Sequence, residues 1–154
     1  MPKCGNVPSL NLGAIVSNES ILIVEDNALV IKILETQFRN AGYKVVAAQT
    51  SADAIRFMVM QRPDLMILDV GLVDGTDFSG ILDGLTLLEW LRRVLPEARF
   101  PVIIHTADSS ADLEERTRVH GVKAVFRKGG PIKNLIEAVR RALSEHDSEN
   151  SRDM

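Results

Sequence analysis

The sequence predicts a single α/β domain built on a five-stranded parallel sheet with helices on both faces. Three observations carry that reading. Five short apolar runs rich in β-branched residues recur between residues 20 and 145. Each is followed by a segment with the spacing or composition of a helix. The runs are apolar on both sides rather than on alternate residues, as expected of parallel strands covered on both faces.

Residues 1–19 come first, rich in Pro, Gly, Ser and Asn and without a period. They read as an N-terminal arm, compatible with disorder, with Leu10, Leu12, Ile15 and Val16 as its apolar members. "ILIV" (21–24) is the first strand. Val30, Ile31, Leu34 and Phe38 then fall on one helical face, and Gly42 closes that helix. "KVVAA" (44–48) is the second strand. Ala54, Ile55, Met58 and Val59 mark the second helix, which Pro63 stops. "LMILD" (65–69) is the third strand, and Leu85, Leu88, Leu91 and Leu95 mark the third helix, ended by Pro96. "PVIIHT" (101–106) is the fourth strand, followed by a polar helix over about 110–120 that Gly121 ends. "AVF" (124–126) is the fifth. Ile132, Leu135, Ile136, Val139 and Leu143 then form an amphipathic helix with Pro131 near its first position. The domain is expected to span 20–145, with 146–154 as a polar, frayed tail.

Composition narrows the function classes. A chain of 154 residues has room for one sizeable core. The net charge of -3 lacks the basic excess that direct nucleic-acid binding uses. Cys4 is the only cysteine, so an internal disulfide is excluded. No apolar run reaches the roughly 18 residues of a membrane span, so no membrane insertion is expected. Pro2, Gly5, Asn6 and Pro8 interrupt any signal-peptide core. A cytoplasmic protein is the expectation.

Ligands of open parallel sheets bind beyond the carboxyl ends of the strands. The residues at those ends are therefore the candidates. Glu25 and Asp26 end strand one, Asp69 ends strand three, Thr106 ends strand four, and Lys128 follows strand five. Each has a plain structural alternative: a helix cap for Asp26, a loop aspartate for Asp69, a strand residue for Thr106, a solvated lysine for Lys128. Together they form a specific set suited to phosphoryl transfer. Clustered carboxylates repel, and Mg²⁺ held by carboxylates relieves the conflict. An ionised aspartate can attack phosphorus and form an aspartyl phosphate. Because the transition state is loose, positioning and charge neutralisation do most of the catalysis; Lys128 and the metal would neutralise the phosphoryl oxygens, and Thr106 would hydrogen-bond one.

"ILIVEDN" (21–27), "PDLMILDV" (63–70), "DGLTLLEWLRR" (83–93), "PVIIHTA" (101–107) and "GVKAVFRK" (121–128) stand in the order and spacing of response-regulator receiver domains. The chain resembles that family, and stand-alone chemotaxis-regulator-like receivers within it, over about residues 20–145. The resemblance implies a flavodoxin-like, doubly wound sheet of order 2-1-3-4-5. It implies Mg²⁺ bound by Glu25, Asp26, Asp69 and the backbone carbonyl of Gly71. It implies Asp69 as phosphoacceptor, Thr106 as switch hydroxyl and Lys128 as phosphate contact. The expected role is a receiver in a two-component or phosphorelay pathway. It would take its phosphoryl group from a sensor histidine kinase or histidine phosphotransfer protein and signal through a downstream partner. Such a protein catalyses only its own phosphorylation and dephosphorylation.

Three departures from the family pattern stand out. The segment from Val70 to Asp83 is several residues longer than usual and lacks the usual proline. It reads either as a surface insertion, which costs little entropy, or as a lid or partner-selecting loop. Val125 occupies the place of the usual aromatic switch, so the inserted loop is expected to carry the conformational response. Lys128 precedes Gly129 rather than proline, and a trans bond is expected there because a non-proline cis bond costs about 2.5–4 kcal/mol. Two rival readings follow: a phosphorylation-independent receiver-like interaction module, and a Mg²⁺ phosphohydrolase. The "LVDGT" segment (72–76) fits the aspartate-nucleophile phosphatase motif poorly, because Leu72 stands where that motif needs aspartate.

Overall fold

The structure is a computed structural model, and residues 18–72 and 83–153 are described. The chain alternates strand and helix: β1 (Ser20–Val24), α1 (Ala28–Asn40), β2 (Lys44–Ala48), α2 (Ser51–Gln61), β3 (Leu65–Leu68), α3 (Gly84–Val94), β4 (Val102–Thr106), α4 (Leu113–Arg118), β5 (Ala124–Arg127) and α5 (Ile132–Arg152). The strands pair in parallel in the order β2-β1-β3-β4-β5. The flavodoxin-like order expected from the resemblance is therefore present.

Side-chain alternation along the strands builds two cores. On one face Leu22, Val24, Met66, Leu68, Val102 and Ile104 pack with Ala54 and Met58 of α2 and with Leu87, Leu88 and Leu91 of α3. On the other, Ile21, Ile23, Leu65, Ile67 and Ile103 meet Leu34 and Phe38 of α1 and Leu135, Val139 and Leu143 of α5. Val125 joins the first core and Phe126 the second. The aromatic ring one residue late thus lies on the opposite face from Val125, as the two-residue strand period requires.

Local chemistry sets the helix limits. Asn27 caps α1 by accepting from the N–H groups of Leu29 and Val30, and Thr50 caps α2 by accepting from Asp53 N. Beyond α1 the chain turns at Gly42, whose φ is 100°. After α2, Arg62 takes φ 46°, immediately before Pro63, which disfavours continued α geometry.

Two helices depart from the sequence expectation. The fourth is only Leu113–Arg118, rather than about 110–120. Its expected first residue is diverted: Asp108 Oδ1 accepts from both the N–H and the hydroxyl of Ser110, holding a turn instead of a helix. Residues 146–152, expected as a frayed tail, continue α5 to Arg152. The amphipathic stripe ends at Leu143, but helix formation does not need it there. Ser148 and Ser151 donate to the carbonyls of Ser144 and Asp147, and Asp153 pairs with Arg99.

Residues 73–82, most of the inserted segment, lie outside the described residues, as does the arm through residue 17. Among the described residues no helix is long and apolar enough to cross a membrane.

Candidate functional site

The sheet delivers the predicted residues to one edge. Glu25, Asp69 and Lys128 each sit one residue beyond a strand, yet each backbone N–H still bonds to a neighbour: Glu25 to Ala48 O at 3.0 Å, Asp69 to Val24 O at 3.1 Å, Lys128 to Thr106 O at 2.8 Å. Thr106 is the last residue of β4 and fully buried. The backbone of each is thus fixed before its side chain does anything.

Asp69, 5% exposed, lies at the centre. Its Oδ1 accepts from Thr106 Oγ1 at 2.8 Å and from Gly71 N at 2.9 Å. Its Oδ2 accepts from Lys128 Nζ at 2.9 Å. Lys128 Nζ also lies 2.6 Å from Glu25 Oε1, an ion-pair contact without the angle of a well-formed hydrogen bond, since that buried oxygen has no such donor among the described residues. The other Glu25 oxygen accepts from Asn27 N at 3.0 Å.

Burial and charge oppose each other here. Burial raises the Glu25 pKa, and the Lys128 ammonium only partly offsets it. For Lys128, burial alone would lower the pKa, but the close contacts with the Glu25 and Asp69 carboxylates outweigh it and the net direction is upward. The ammonium therefore stays charged and acts as the site's own counter-ion. His105, next to Thr106 in β4, is pushed the other way by burial and then by the charge of Lys128, and is held neutral at pH 7.

Glu25, Asp26 and Asp69 bring one carboxylate oxygen each within 4.8 Å of one another, with Asp26 exposed and the other two buried. An all-oxygen set open to water on one side suits a hard cation that retains part of its hydration, as Mg²⁺ does. The buried Glu25 oxygen without a well-directed donor fits such a ligand. Gly71, expected to offer its carbonyl, is recorded here through its N–H on Asp69.

Two features beyond the sequence expectation support the site. Gly84, the first residue of α3, donates its N–H to Val70 O at 3.1 Å. A Cβ there would fall 2.3 Å from Asp69 O and 2.8 Å from Val70 Cα, so only glycine permits this approach of helix to phosphoacceptor candidate. The second is a polar network behind Thr106, made by Asp108, Ser110 and Arg116. The spacing of Asp108 and Ser110 signals a local turn, but nothing in the sequence pairs either with Arg116. Gly129, in place of the usual proline, takes φ 95°, a conformation closed to proline. All peptide bonds of the described residues are trans, that of Lys128–Gly129 included.

Comparison with known proteins agrees with the geometry. The sequence profile of the response regulator receiver domain matches residues 21–140. The polar-differentiation response regulator DivK of Brucella anthropi is 28% identical over 127 residues, covering 82% of this chain and 98% of DivK. Among solved structures, a signal receiver domain from Vibrio parahaemolyticus is 25% identical with a TM-score of 0.78, covering 90% of this chain and 99% of its own. A CheY-like receiver domain from Methanospirillum hungatei JF-1 shares the fold at 23% identity and a TM-score of 0.75, over 86% of this chain and 99% of its own. With strand order, strand-end residues and profile in agreement, the chain belongs to the response regulator receiver domain family of two-component signalling.

Proposed function

We propose that the protein is a phosphoacceptor receiver in which Asp69 takes a phosphoryl group from phosphohistidine. The observation that carries this is the setting of the Asp69 carboxylate, with Thr106 on one oxygen, Lys128 on the other and the Glu25–Asp26 pair alongside. An Asp69 oxygen attacks phosphorus, the P–N bond breaks, and its electron pair leaves with the imidazole of the donor. Lys128 meets the negative charge of the transferring group, and the Thr106 hydroxyl turns from Asp69 to a phosphoryl oxygen. Mg²⁺, held by Glu25, Asp26, Asp69 and the Gly71 carbonyl, would supply further charge neutralisation.

The donor is a histidine kinase or histidine phosphotransfer protein. Support comes from the surface beside Lys128, where Leu29 is 68% and Ile33 45% exposed. A cleft lined by Val30, Ile33, Lys128, Gly129 and Ile132 adjoins them. A protein presenting phosphohistidine could rest apolar side chains there while its imidazole reaches Asp69. Output then passes to a second protein partner, and the receiver's chemistry is confined to its own phosphorylation and dephosphorylation.

The test is incubation with acetyl phosphate and Mg²⁺ followed by intact-mass measurement. A single phosphoryl adduct is expected on the wild type and none on Asp69→Asn. An adduct of equal yield on the variant would move the phosphoacceptor elsewhere. No adduct on the wild type would favour the phosphorylation-independent interaction module.

A further inference from the structure

Thr106 Oγ1 is held from both sides. It donates to Asp69 Oδ1 at 2.8 Å and accepts from Asp108 N at 3.2 Å. Asp108 is held in turn. Its Oδ1 accepts from Ser110 N at 2.8 Å and Ser110 Oγ at 2.6 Å, and its Oδ2 pairs with Arg116 at 2.9 Å. Arg116 closes the ring by donating to Ser110 Oγ at 2.9 Å, and its Nε lies 3.4 Å from Asp112. One guanidinium on α4 thus reaches back across the whole β4–α4 connection to the residue that grips the Thr106 hydroxyl.

We infer that Arg116 is a positioning residue whose clasp on Asp108 and Ser110 holds the receiver in its resting state, by keeping the Thr106 hydroxyl on unmodified Asp69. The inference rests on the phosphoacceptor reading of Asp69. A phosphoryl group on Asp69 draws the Thr106 hydroxyl away from its present partner. The Asp108 N–H bonds to the same oxygen, so the connection follows or that bond breaks. Either change works against the clasp, whose three side chains make mutual contacts that cannot all survive a shift of Asp108. Both bonds leave the same terminal nitrogen, Nη2, while Nε faces Asp112 on the helix itself, so one planar group ties Asp108 and Ser110 to α4. Val125 leaves room for such a device: a stiff β-branched side chain has no ring to swing behind Thr106, so the hydroxyl's movement has to be registered by what it touches, and that is Asp108.

The experiment titrates beryllofluoride, as a phosphoryl mimic, into the full chain with saturating Mg²⁺. Arg116→Ala is expected to bind it roughly five-fold more tightly, because the resting state no longer competes. Arg116→Lys keeps one charged nitrogen for Asp108 and Ser110 but loses the Nε that faces Asp112, and should fall between. Ser110→Ala removes part of the ring without touching α4, and is expected to tighten binding in the same direction even should Arg116→Ala fold poorly. In a Thr106→Ala background the Arg116→Ala effect should vanish, since the clasp acts only through that hydroxyl. Unchanged or weaker binding in both Arg116→Ala and Ser110→Ala overturns the clasp while leaving the phosphoacceptor reading intact. An effect that persists without Thr106 also overturns it. A wild type that binds no beryllofluoride overturns the phosphoacceptor reading, and the clasp with it.

Discussion

Asp108 holds its charge far into acid. Hydrogen bonds from the Ser110 hydroxyl and N–H, and then the bond from Arg116, lower its pKa from 3.8 to about 2. A carboxylate whose folded pKa is depressed adds stability that is fully present above its unfolded value. For Asp108 that contribution is lost as pH falls from 3.8 through about 2. The group lies at the surface, where solvent screening keeps the stability effect small, so the titration itself is the better observable. Carboxyl-carbon chemical shifts should place the Asp108 titration near pH 2. Ser110→Ala should move it upward more than Arg116→Ala does, following the order of causes. An ordinary titration in the wild type would mean the network does not persist in solution. Sequence reading missed this residue for a physical reason. Its role depends on a partner eight positions on, brought back only because the fourth helix starts late.

At the scale of elements, the first turn of α3 bears most directly on the site. Gly84 lets the helix start against the backbone of Asp69 and Val70. Alanine improves intrinsic helix propensity by about 1 kcal/mol at most, and less at a first helical position. Against that stands a Cβ 2.3 Å from a carbonyl oxygen, and forced repacking typically costs about 1–3 kcal/mol. The clash should win. Gly84→Ala is expected to lose roughly 2 kcal/mol in urea unfolding and to weaken Mg²⁺ binding as Asp69 shifts; a variant as stable as the wild type would show that the helix backs away freely. The sequence marked this "DG" pair only by resemblance, whereas the contact that demands glycine is visible only in three dimensions. Most elements were legible because five apolar runs and the helical stripes of α1, α3 and α5 leave few other arrangements. The late start of α4 was hidden because a side chain, Asp108, competes for the N–H of Ser110. The length of α5 was hidden because its last turns carry no apolar stripe, and periodicity finds only helices that bury one.

Across the whole molecule, the site was readable as a set of strand ends but not as a set of contacts. That Lys128 bridges Glu25 and Asp69 depends on β1, β3 and β5 delivering residues to the same edge, which sequence spacing alone does not fix. The bridge makes metal binding a global property. Three carboxylates meet at one edge and the ammonium of Lys128 pairs with only two of them, so a divalent cation that binds the folded state alone should stabilise the whole domain. At a concentration about 100-fold above its dissociation constant the gain is about 2.7 kcal/mol, or roughly 5–10 °C in melting temperature for a domain of this size. Thermal melts with and without Mg²⁺ should show that shift, and Asp26→Asn should abolish it; an equal shift in the variant would remove Asp26 from the metal set. The same topology has a practical side. All five strands run toward the site, while the described chain enters β1 and leaves α5 at the opposite rim, where Ser20 bonds to Asp64 and Asp153 meets Arg99. A strand of five residues spans about 17 Å, so a tether fixed at either rim position is separated from Asp69 by about the length of a strand. Anchored to a sensor chip in that way, the protein would present its carboxylates outward to whatever flows past.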